Sequence, residues 1–415
     1  MHEASPIDDD LAAATLLLGD GATELVARWL AGRGGAVQAL RRKQVLYRPG
    51  RMASVVFEGT VEWADRGLRK ELLAAAFDRA EDDAIAIWCY PDDPALPGLE
   101  RLEDPAYVAR IGAAAGLRSL VPDLKTLAYR PRRRAVVRAR SDRERAVVAR
   151  AAGQVRVRMD RPALFWKVVR PGRAAALATV HGALGAAAPV PACRFMDDEL
   201  GLVVLEGLRG DTLRARLRKG SGVVPEPAAI VELLDRLAPA GVAGTPASTT
   251  TAKVRRQARM LRAVLPRHAE RIDRFVARLG DDAPAPLVTT HGDFHDAQII
   301  VDDAGRVAGL VDLDGVAPGQ RIDDLATIVG RVWTAGRTAT RGAERFARYG
   351  DELFASFAAI CDPGELCRRV AGVVFGRATG PFRAQHRDWE ARVLERIELA
   401  ELWLAQAKAG IAPAT

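Results

Sequence analysis

The strongest constraint on the fold lies in residues 291–315, where polar residues stand at the ends of short apolar segments. Three such segments have the length of buried strands and are separated by Asp and Gly: residues 286–290, 298–301 and 307–311. The turn residues at 302–305 predict that the second and third strands form a hairpin. We therefore expect Asp293, Gln298 and Asp312 to lie close together, at strand ends and in loops.

An acid, an amide and a second acid in this layout are the groups that phosphoryl transfer requires. The reaction needs a carboxylate that orients a hydroxyl and accepts its proton, and hard oxygen ligands for magnesium on the nucleotide phosphates. Asp293 can supply the first carboxylate, while Gln298 and Asp312 can supply metal ligands. Asp314 would share a strand face with Asp312, and the pattern leaves open whether it binds metal or caps the following loop. An ordinary Asp-rich hairpin is the alternative for the whole segment.

Two histidines in the same segment have the spacing of helical zinc ligands. His291 and His295 are four residues apart, but Gly292 and the strand pattern that follows argue against a helix, and no Glu follows His291. We therefore favour a structural hydrogen-bonding role for His291 over a zinc site.

The segment resembles the catalytic and metal-binding loops of the aminoglycoside phosphotransferase and choline kinase family, which is related to protein kinases. Protein kinases place His, Asp and Asn at the spacing of His291, Asp293 and position 298. The resemblance implies that Asp293 is the catalytic base, that Gln298 and Asp312 hold Mg²⁺, and that Asp324 supports the loop from the next helix. Gln298 replaces the commoner Asn, as in maltokinase-like members, and it keeps the amide ligand with one more methylene.

A lysine upstream is the candidate for nucleotide binding. Lys167 lies in the middle of the apolar residues 163–169, and the resemblance implies that it holds the nucleotide phosphates. The alternative is an exposed strand residue. The usual glutamate partner on the next helix is missing, because no acidic residue occurs between Asp160 and Asp197. Either His181 or backbone groups occupy that place, or the lysine is held differently.

Residues 202–213 resemble the hinge of the same family, a buried strand that runs into Gly-punctuated chain and then a helix start. The resemblance implies that backbone groups around Glu206 and Leu208 bind adenine. The alternative is an ordinary connection between a strand and a helix.

The first hairpin of the nucleotide lobe is predicted at residues 127–138, with arginines at 132–134 where the family has a Gly-rich phosphate loop. Arg133 is the candidate for a phosphate contact, and a solvated charged turn is the alternative. Residues 45–56 resemble this hairpin, either as a degenerate repeat or as a second hairpin of similar construction.

Periodic patterns extend the prediction to the whole chain. Apolar residues recur at helical spacing in residues 22–30, 228–237, 253–265, 267–279 and 389–407. We predict an α+β, protein-kinase-like bilobal fold with a mixed β-sheet N-lobe, a mainly helical C-lobe and an additional α/β extension. The predicted domains are the extension at residues 1–120, the nucleotide-binding lobe at 121–205 and the helical lobe at 206–415.

Composition excludes several other classes of protein. The chain is 49% hydrophobic and 27% charged, which is typical of a globular protein. The four cysteines form no CxxC pair, and neither a signal peptide nor a membrane-spanning stretch is indicated, so we expect a cytoplasmic protein. The net charge is +8, but the arginine-rich residues 130–145 contain Asp142 and Glu144 and no interleaved aromatics, so we expect no nucleic-acid partner.

The resemblance implies an ATP- and Mg²⁺-dependent kinase that phosphorylates a hydroxyl of a small molecule such as a sugar, an aminosugar or an aminoglycoside. The arginines that follow the metal loop favour a neutral or weakly cationic acceptor. His386, Asp388 and Trp389 are candidate sugar contacts, although a loop that packs onto the last helix is the favoured reading. The alternative function is a kinase-like nucleotide-binding or regulatory protein without turnover.

Overall fold

The structure is a computed structural model of the 415-residue chain, and it describes residues 12–117, 123–140, 148–151, 154–157, 163–220 and 222–413. The helices are α1 Ala12–Leu18, α2 Gly21–Ala31, α3 Gly98–Arg101, α4 Pro105–Ala114, α5 Ala174–Gly185, α6 Leu213–Lys219, α7 Pro227–Leu237, α8 Thr250–Val264, α9 Ala269–Leu279, α10 Arg321–Thr338, α11 Ala343–Ala358, α12 Pro363–Arg377, α13 Thr379–Arg383 and α14 Trp389–Gln406. The strands are β1 Gly35–Arg48, β2 Met52–Trp63, β3 Gly67–Asp78, β4 Asp82–Cys89, β5 Asp123–Arg130, β6 Arg134–Arg140, β7 Val148–Ala151, β8 Gln154–Val157, β9 Leu164–Val169, β10 Cys193–Asp197, β11 Leu202–Glu206, β12 Asp211–Thr212, β13 Leu287–Thr290, β14 Ile299–Val301, β15 Val307–Leu310 and β16 Ala317–Gln320.

The chain divides into two compact units, and each unit combines segments that are distant in sequence. The first unit comprises the described residues of Met1–Pro91, Ser248–Ala283 and Pro363–Ala414. The second comprises those of Asp92–Ala247 and Pro284–Asp362. Helices α8, α9 and α12–α14 therefore share a unit with the N-terminal strands. The predicted three-part division after residues 120 and 205 stays a prediction.

The first unit contains an antiparallel sheet in the order β1-β2-β3-β4. Helices α1 and α2 pack on this sheet because their apolar residues recur on one face, which buries Leu17, Val26 and Leu30. Met260 of α8 and Phe382 of α13 belong to the same hydrophobic cluster. The N-terminal strands and the later helices thus form one core within this unit.

The second unit contains a five-stranded antiparallel sheet in the order β10-β11-β9-β6-β5. Strand β9 is central, and Lys167 on it lies opposite Val136 of β6 and Val203 of β11. Side chains alternate between the faces of a strand, so Lys167 lies on the same face as Val169. Val169 and Val203 pack with residues of α5, so this is the face that α5 covers.

Two small sheets hold the candidate catalytic segment in the second unit. Strands β12, β14 and β15 form one sheet, and β13 pairs with β16 in the other. The α+β class is confirmed, with helices α6, α7, α10 and α11 in the same unit. A mixed sheet was the expectation for the nucleotide lobe, whereas every described strand pairing is antiparallel. No helix in the described ranges is both long and apolar enough to cross a membrane.

The two similar hairpins of the sequence have the same turn. In β1–β2, Arg48 pairs with Met52, and in β5–β6, Arg130 pairs with Arg134, so three residues form each turn. The middle turn residue has a left-handed conformation in both hairpins, with φ 71° at Gly50 and 59° at Arg132. The sequence similarity between the two hairpins therefore extends to their backbone geometry.

Candidate active site

The loop that carries Asp293 leaves strand β13 and is held by hydrogen bonds to the Asp324 carboxylate and to the His291 ring. The N–H groups of His291 and Gly292 donate to the buried Asp324 carboxylate at 2.6 and 3.0 Å. His291 Nε2 lies 3.1 Å from the Val311 carbonyl oxygen, and its Nδ1 accepts a bond from the Asp293 N–H at 3.3 Å. Both ring nitrogens of His291 thus contact the protein backbone, which fixes the loop at its first residue.

Gly292 allows this loop to approach residues 298–315 closely. These residues carry the predicted metal ligands and are called the metal loop below. Its φ is 78°, and a Cβ atom added there would lie 2.3 Å from the Gly315 carbonyl oxygen. A side chain would therefore both strain the backbone and clash with neighbouring backbone. The close approach brings the segment that follows Asp293 toward the segment that contains Asp312.

Asp293 is exposed and faces two cationic or hydrogen-bonding side chains. Its Oδ1 lies 3.5 Å from an Arg331 guanidinium nitrogen, and its Oδ2 lies 3.7 Å from His295 Nε2. His295 Nδ1 accepts a bond from the Ala297 N–H, so Nε2 carries the proton of the neutral ring. Burial lowers the pKa of His295, which favours this neutral form. An accessible carboxylate held in this way can accept a proton from a hydroxyl.

Asp296 was not assigned by sequence reasoning, although it lies in the same motif. It is fully buried, and Arg214 of α6 donates to its two oxygens at 2.8 and 2.7 Å. Burial raises the pKa of Asp296, but the bonds and charge of Arg214 outweigh it and hold the pKa well below the ordinary value. Its place three residues after Asp293 was the only local sign of a role for Asp296. Its partner Arg214 lies 82 positions away, so the sequence pattern did not reveal the pair.

The hairpin of β14 and β15 lies between the two predicted metal ligands, Gln298 and Asp312. Gln298 precedes β14, Asp312 follows β15, and the Val311 N–H donates to the Gln298 carbonyl at 2.9 Å. The Gln298 side-chain amide donates to Asp312 Oδ2 at 3.2 Å. Asp312 has φ 62° and ψ 61°, a left-handed conformation that is uncommon outside glycine. It occurs here just after the end of the hairpin. The structure therefore brings Gln298 and Asp312 into contact.

Lys167 contacts two acids, Asp312 and Asp314. It is 4% exposed, which rules out the exposed-strand alternative, and its Nζ donates to Asp312 at 2.9 Å and also to Asp314. Asp314 thus contacts a lysine, while its roles as a metal ligand or as a cap of the following loop stay predictions.

Arg134 is the arginine of the predicted phosphate turn that contacts the acids. Its two terminal nitrogens donate to the two oxygens of Asp312 at 2.9 and 3.0 Å, and one of them also donates to Asp314. Burial raises the pKa of Asp312, but Lys167 and Arg134 outweigh it and hold the pKa well below the ordinary value. Arg133, the arginine predicted from the sequence to contact phosphate, lies exposed in the adjacent turn, and this contact stays a prediction.

The predicted hinge follows strand β11. Glu206 accepts a bond from Arg194 Nε at 2.8 Å through its side chain, and its N–H donates to the Ala192 carbonyl. Leu208 is half-buried, and a Cβ atom added at Gly309 would lie 2.5 Å from Leu208 Cδ1. Leu208 therefore packs directly on strand β15 of the metal hairpin, while its role in adenine binding stays a prediction.

The donor set suits magnesium that is shared with phosphates. Within the described part of the chain, no group of three or more His, Cys, Asp or Glu residues could hold a metal by itself. Magnesium commonly binds through one or two carboxylates together with substrate phosphates and water. Asp312 with Gln298 fits this mode, provided that the Gln298 amide rotates to present its oxygen.

The tail residues proposed as sugar contacts lie in the first unit, where the described structure supports packing. Trp389 is the first residue of α14, and its ring packs edge-on against Phe382 with centroids 5.0 Å apart. Asp388 accepts a bond from Arg392 Nε at 2.7 Å. Phe382, Asp388 and Trp389 line a cavity of about 860 Å³ together with residues of α1, β1 and the end of α8.

A carboxylate, an amide, a second carboxylate and a buried strand lysine, joined in one α+β unit, are typical of a phosphotransferase. The chain belongs to the phosphotransferase enzyme family, whose model matches residues 132–360, more than half of the sequence. The resemblance stated from the motifs is thereby confirmed, as is the prediction of a phosphotransferase with an alcohol group as acceptor. No curated protein matches the chain in sequence.

Several solved structures are similar to this chain. A choline/ethanolamine kinase family protein from Mesorhizobium loti is 16% identical, with 74% of this chain and 97% of that chain covered and a TM-score of 0.46. An aminoglycoside phosphotransferase from Streptomyces rimosus is 18% identical, with 64% and 94% covered and a TM-score of 0.40. A macrolide 2′-phosphotransferase from Brachybacterium faecium is 18% identical, with 73% and 98% covered and a TM-score of 0.40.

Proposed function

We propose that the protein is an ATP- and Mg²⁺-dependent kinase that transfers the γ-phosphoryl group to a hydroxyl of a sugar, an aminosugar or an aminoglycoside-like compound. The observation that carries the proposal is the contact of Lys167 with Asp312, because it joins a nucleotide-strand lysine to a metal-loop acid 145 positions away. A strand lysine near the phosphates and an acid that binds Mg²⁺ are both components of kinase sites.

The roles follow from the contacts of each side chain. Asp293 is exposed and positioned by the loop, so it orients the acceptor hydroxyl and takes its proton. Asp312 and Gln298 hold Mg²⁺, which neutralises charge on the phosphates. Lys167 and the arginines of the β5–β6 turn hold the phosphates, and backbone groups near Glu206 and Leu208 hold the adenine.

The charges near Asp293 bear on the class of acceptor. Arg331 lies beside the carboxylate, and Arg214 and Arg130 are close enough to interact with it electrostatically. A strongly cationic acceptor would be repelled by these arginines unless further acids faced it. We therefore infer a neutral or weakly cationic hydroxyl compound.

The test is phosphate transfer from Mg-ATP to a panel of sugars, aminosugars and aminoglycosides. We expect Asp293→Asn to lower the turnover number about 10²–10⁴-fold, the usual contribution of a general base, with little change in nucleotide binding. Asp312→Ala removes a metal ligand, so we expect it to abolish transfer. Glu199→Gln is the control, because Glu199 is exposed in the turn between β10 and β11.

Nucleotide binding by calorimetry separates the two candidate functions. Wild-type protein that binds Mg-ATP but transfers no phosphate to any acceptor, as inactive as both variants, would favour the nucleotide-binding module without turnover. Transfer that survives Asp293→Asn at the wild-type rate would remove the proposed role of Asp293.

A further inference from the structure

Lys167 is a buried cation whose charge needs compensation by its neighbours. An ammonium group taken out of water is costly unless an opposite charge and hydrogen bonds replace the lost hydration. Its Nζ donates to one oxygen of Asp312 and to one oxygen of Asp314, and both acids belong to the metal loop. The compensation therefore comes from the turn that follows β15.

The helix that covers this face of the sheet offers no such charge. The sequence of α5 contains no acidic residue, and its buried polar side chain is His181. The His181 Nδ1–H donates to the Pro191 carbonyl at 2.8 Å, and in the described structure Nε2 is buried without a hydrogen-bond partner. Burial lowers the pKa of His181, and the nearby charge of Lys167 lowers it further. A neutral imidazole cannot neutralise the lysine.

The two acids of the metal loop differ in their contact with Gln298, the other proposed magnesium ligand. Asp312 is also contacted by Gln298, the other proposed magnesium ligand, so it is the acid that a metal would engage. A carboxylate that binds Mg²⁺ offers less charge to a lysine. Asp314 contacts the same two cations as Asp312, Lys167 through Oδ1 and Arg134 through Oδ2, but in the described structure no hydrogen bond joins it to Gln298.

On the basis of the proposed function, we propose that Asp314 is the positioning partner of Lys167. It takes the place of the acid missing from α5 and holds the ammonium toward the phosphates while Asp312 binds the metal. Asp314 is therefore a positioning residue for the nucleotide, distinct in role from the metal ligands.

A double-mutant cycle on stability tests the pairing without reference to activity. Lys167→Met, Asp314→Asn and the double variant are compared by their melting temperatures, with Glu199→Gln as the exposed control. We expect the double variant to lose clearly less than the sum of the two single losses, because both single changes remove the same interaction and Asp314→Asn leaves the buried Lys167 less compensated. Additive losses would overturn the pairing.

Kinetics then separate a positioning residue from a metal ligand. For Asp314→Asn we expect the KM for Mg-ATP to rise about 10-fold or more, with an unchanged Mg²⁺ concentration for half-maximal rate at saturating ATP. Asp314→Glu should recover part of the loss. A shifted Mg²⁺ requirement with an unchanged KM would instead identify Asp314 as a metal ligand and overturn the proposal.

Placing an acid on α5 tests directly whether compensation of the Lys167 charge is the role of Asp314. We expect the double variant His181→Glu, Asp314→Asn to regain melting temperature and nucleotide affinity relative to Asp314→Asn, because a helix carboxylate then compensates Lys167. If Asp314→Asn lowers both and His181→Glu restores neither while the protein folds, compensation of Lys167 by Asp314 is wrong. If the wild type transfers no phosphate, the proposed function fails, and the stability cycle still decides the pairing.

Discussion

Asp296 is fully buried beside the exposed Asp293, and Arg214 supplies its counter-charge. The Arg214 N–H also donates to the Asp296 carbonyl at 2.9 Å, so helix α6 is tied to the loop through main chain and side chain. At the scale of single residues, the site therefore depends on buried charges that are compensated in pairs. Removing one member of such a pair leaves an uncompensated charge in a dry environment.

Arg214→Ala is predicted to lower the free energy of unfolding by about 3–5 kcal/mol, the usual cost of breaking a buried pair from one side. Urea unfolding at neutral pH measures the change. The control is Arg218→Ala, an exposed position on the same helix, where we expect a change within about 0.5 kcal/mol. Equal losses in the two variants would mean that the ion pair contributes no special stability.

Gln298→Asn is predicted to retain phosphate transfer and to change the relative rates with Mg²⁺ and Mn²⁺, because it shortens the same amide ligand by one methylene. The measurement is the rate as a function of each metal concentration. Gln298→Leu removes the amide at similar size, so we expect it to lose metal-dependent activity. Normal metal dependence in the leucine variant would make Gln298 a structural residue.

At the scale of elements, the site is assembled where loops leave short strands. Strand β13 ends at the loop of Asp293, and the β14–β15 hairpin holds Gln298 and Asp312 at its two open ends. Gly292 is the point where the two loops meet, at 2.3 Å between a hypothetical Cβ atom and the Gly315 carbonyl oxygen. The two backbones therefore approach each other so closely that no side chain fits between them, and this approach sets the spacing between the candidate catalytic and metal-binding groups.

Gly292→Ala is therefore predicted to destabilise the protein by about 1–3 kcal/mol, since it combines a left-handed φ with a backbone clash. Thermal unfolding and the turnover number should both fall. Gly182→Ala is the matched control, because Gly182 is helical and a Cβ atom there meets nothing within 4 Å. We expect that variant to be unchanged or slightly more stable.

At the scale of the whole molecule, the N-terminal strands are part of a core that later helices complete. Leu17, Val55 and Phe57 pack in the same hydrophobic cluster as Met260 and Phe382. Burial of apolar surface is the main favourable contribution to folding, so these helices depend on the N-terminal residues for their apolar cover.

A chain that begins at Asp92 is accordingly predicted to lose soluble expression or cooperative unfolding of helices α8 and α12–α14. Circular dichroism during heating, compared with the full chain, measures the loss. A soluble truncated protein with the same melting temperature and acceptor specificity would contradict any role for the N-terminal residues.

The sequence by itself determined the strands and helices around the candidate catalytic segment and predicted its chemistry, because periodicity and the spacing of Asp293, Gln298 and Asp312 are local properties. Helix α14, predicted at residues 389–407, spans Trp389–Gln406. Only the tertiary structure decided that Arg134 contacts Asp312 and that Lys167 contacts Asp314. These partners lie 178 and 147 positions apart, and such contacts depend on sheet order and loop packing that no local pattern contains.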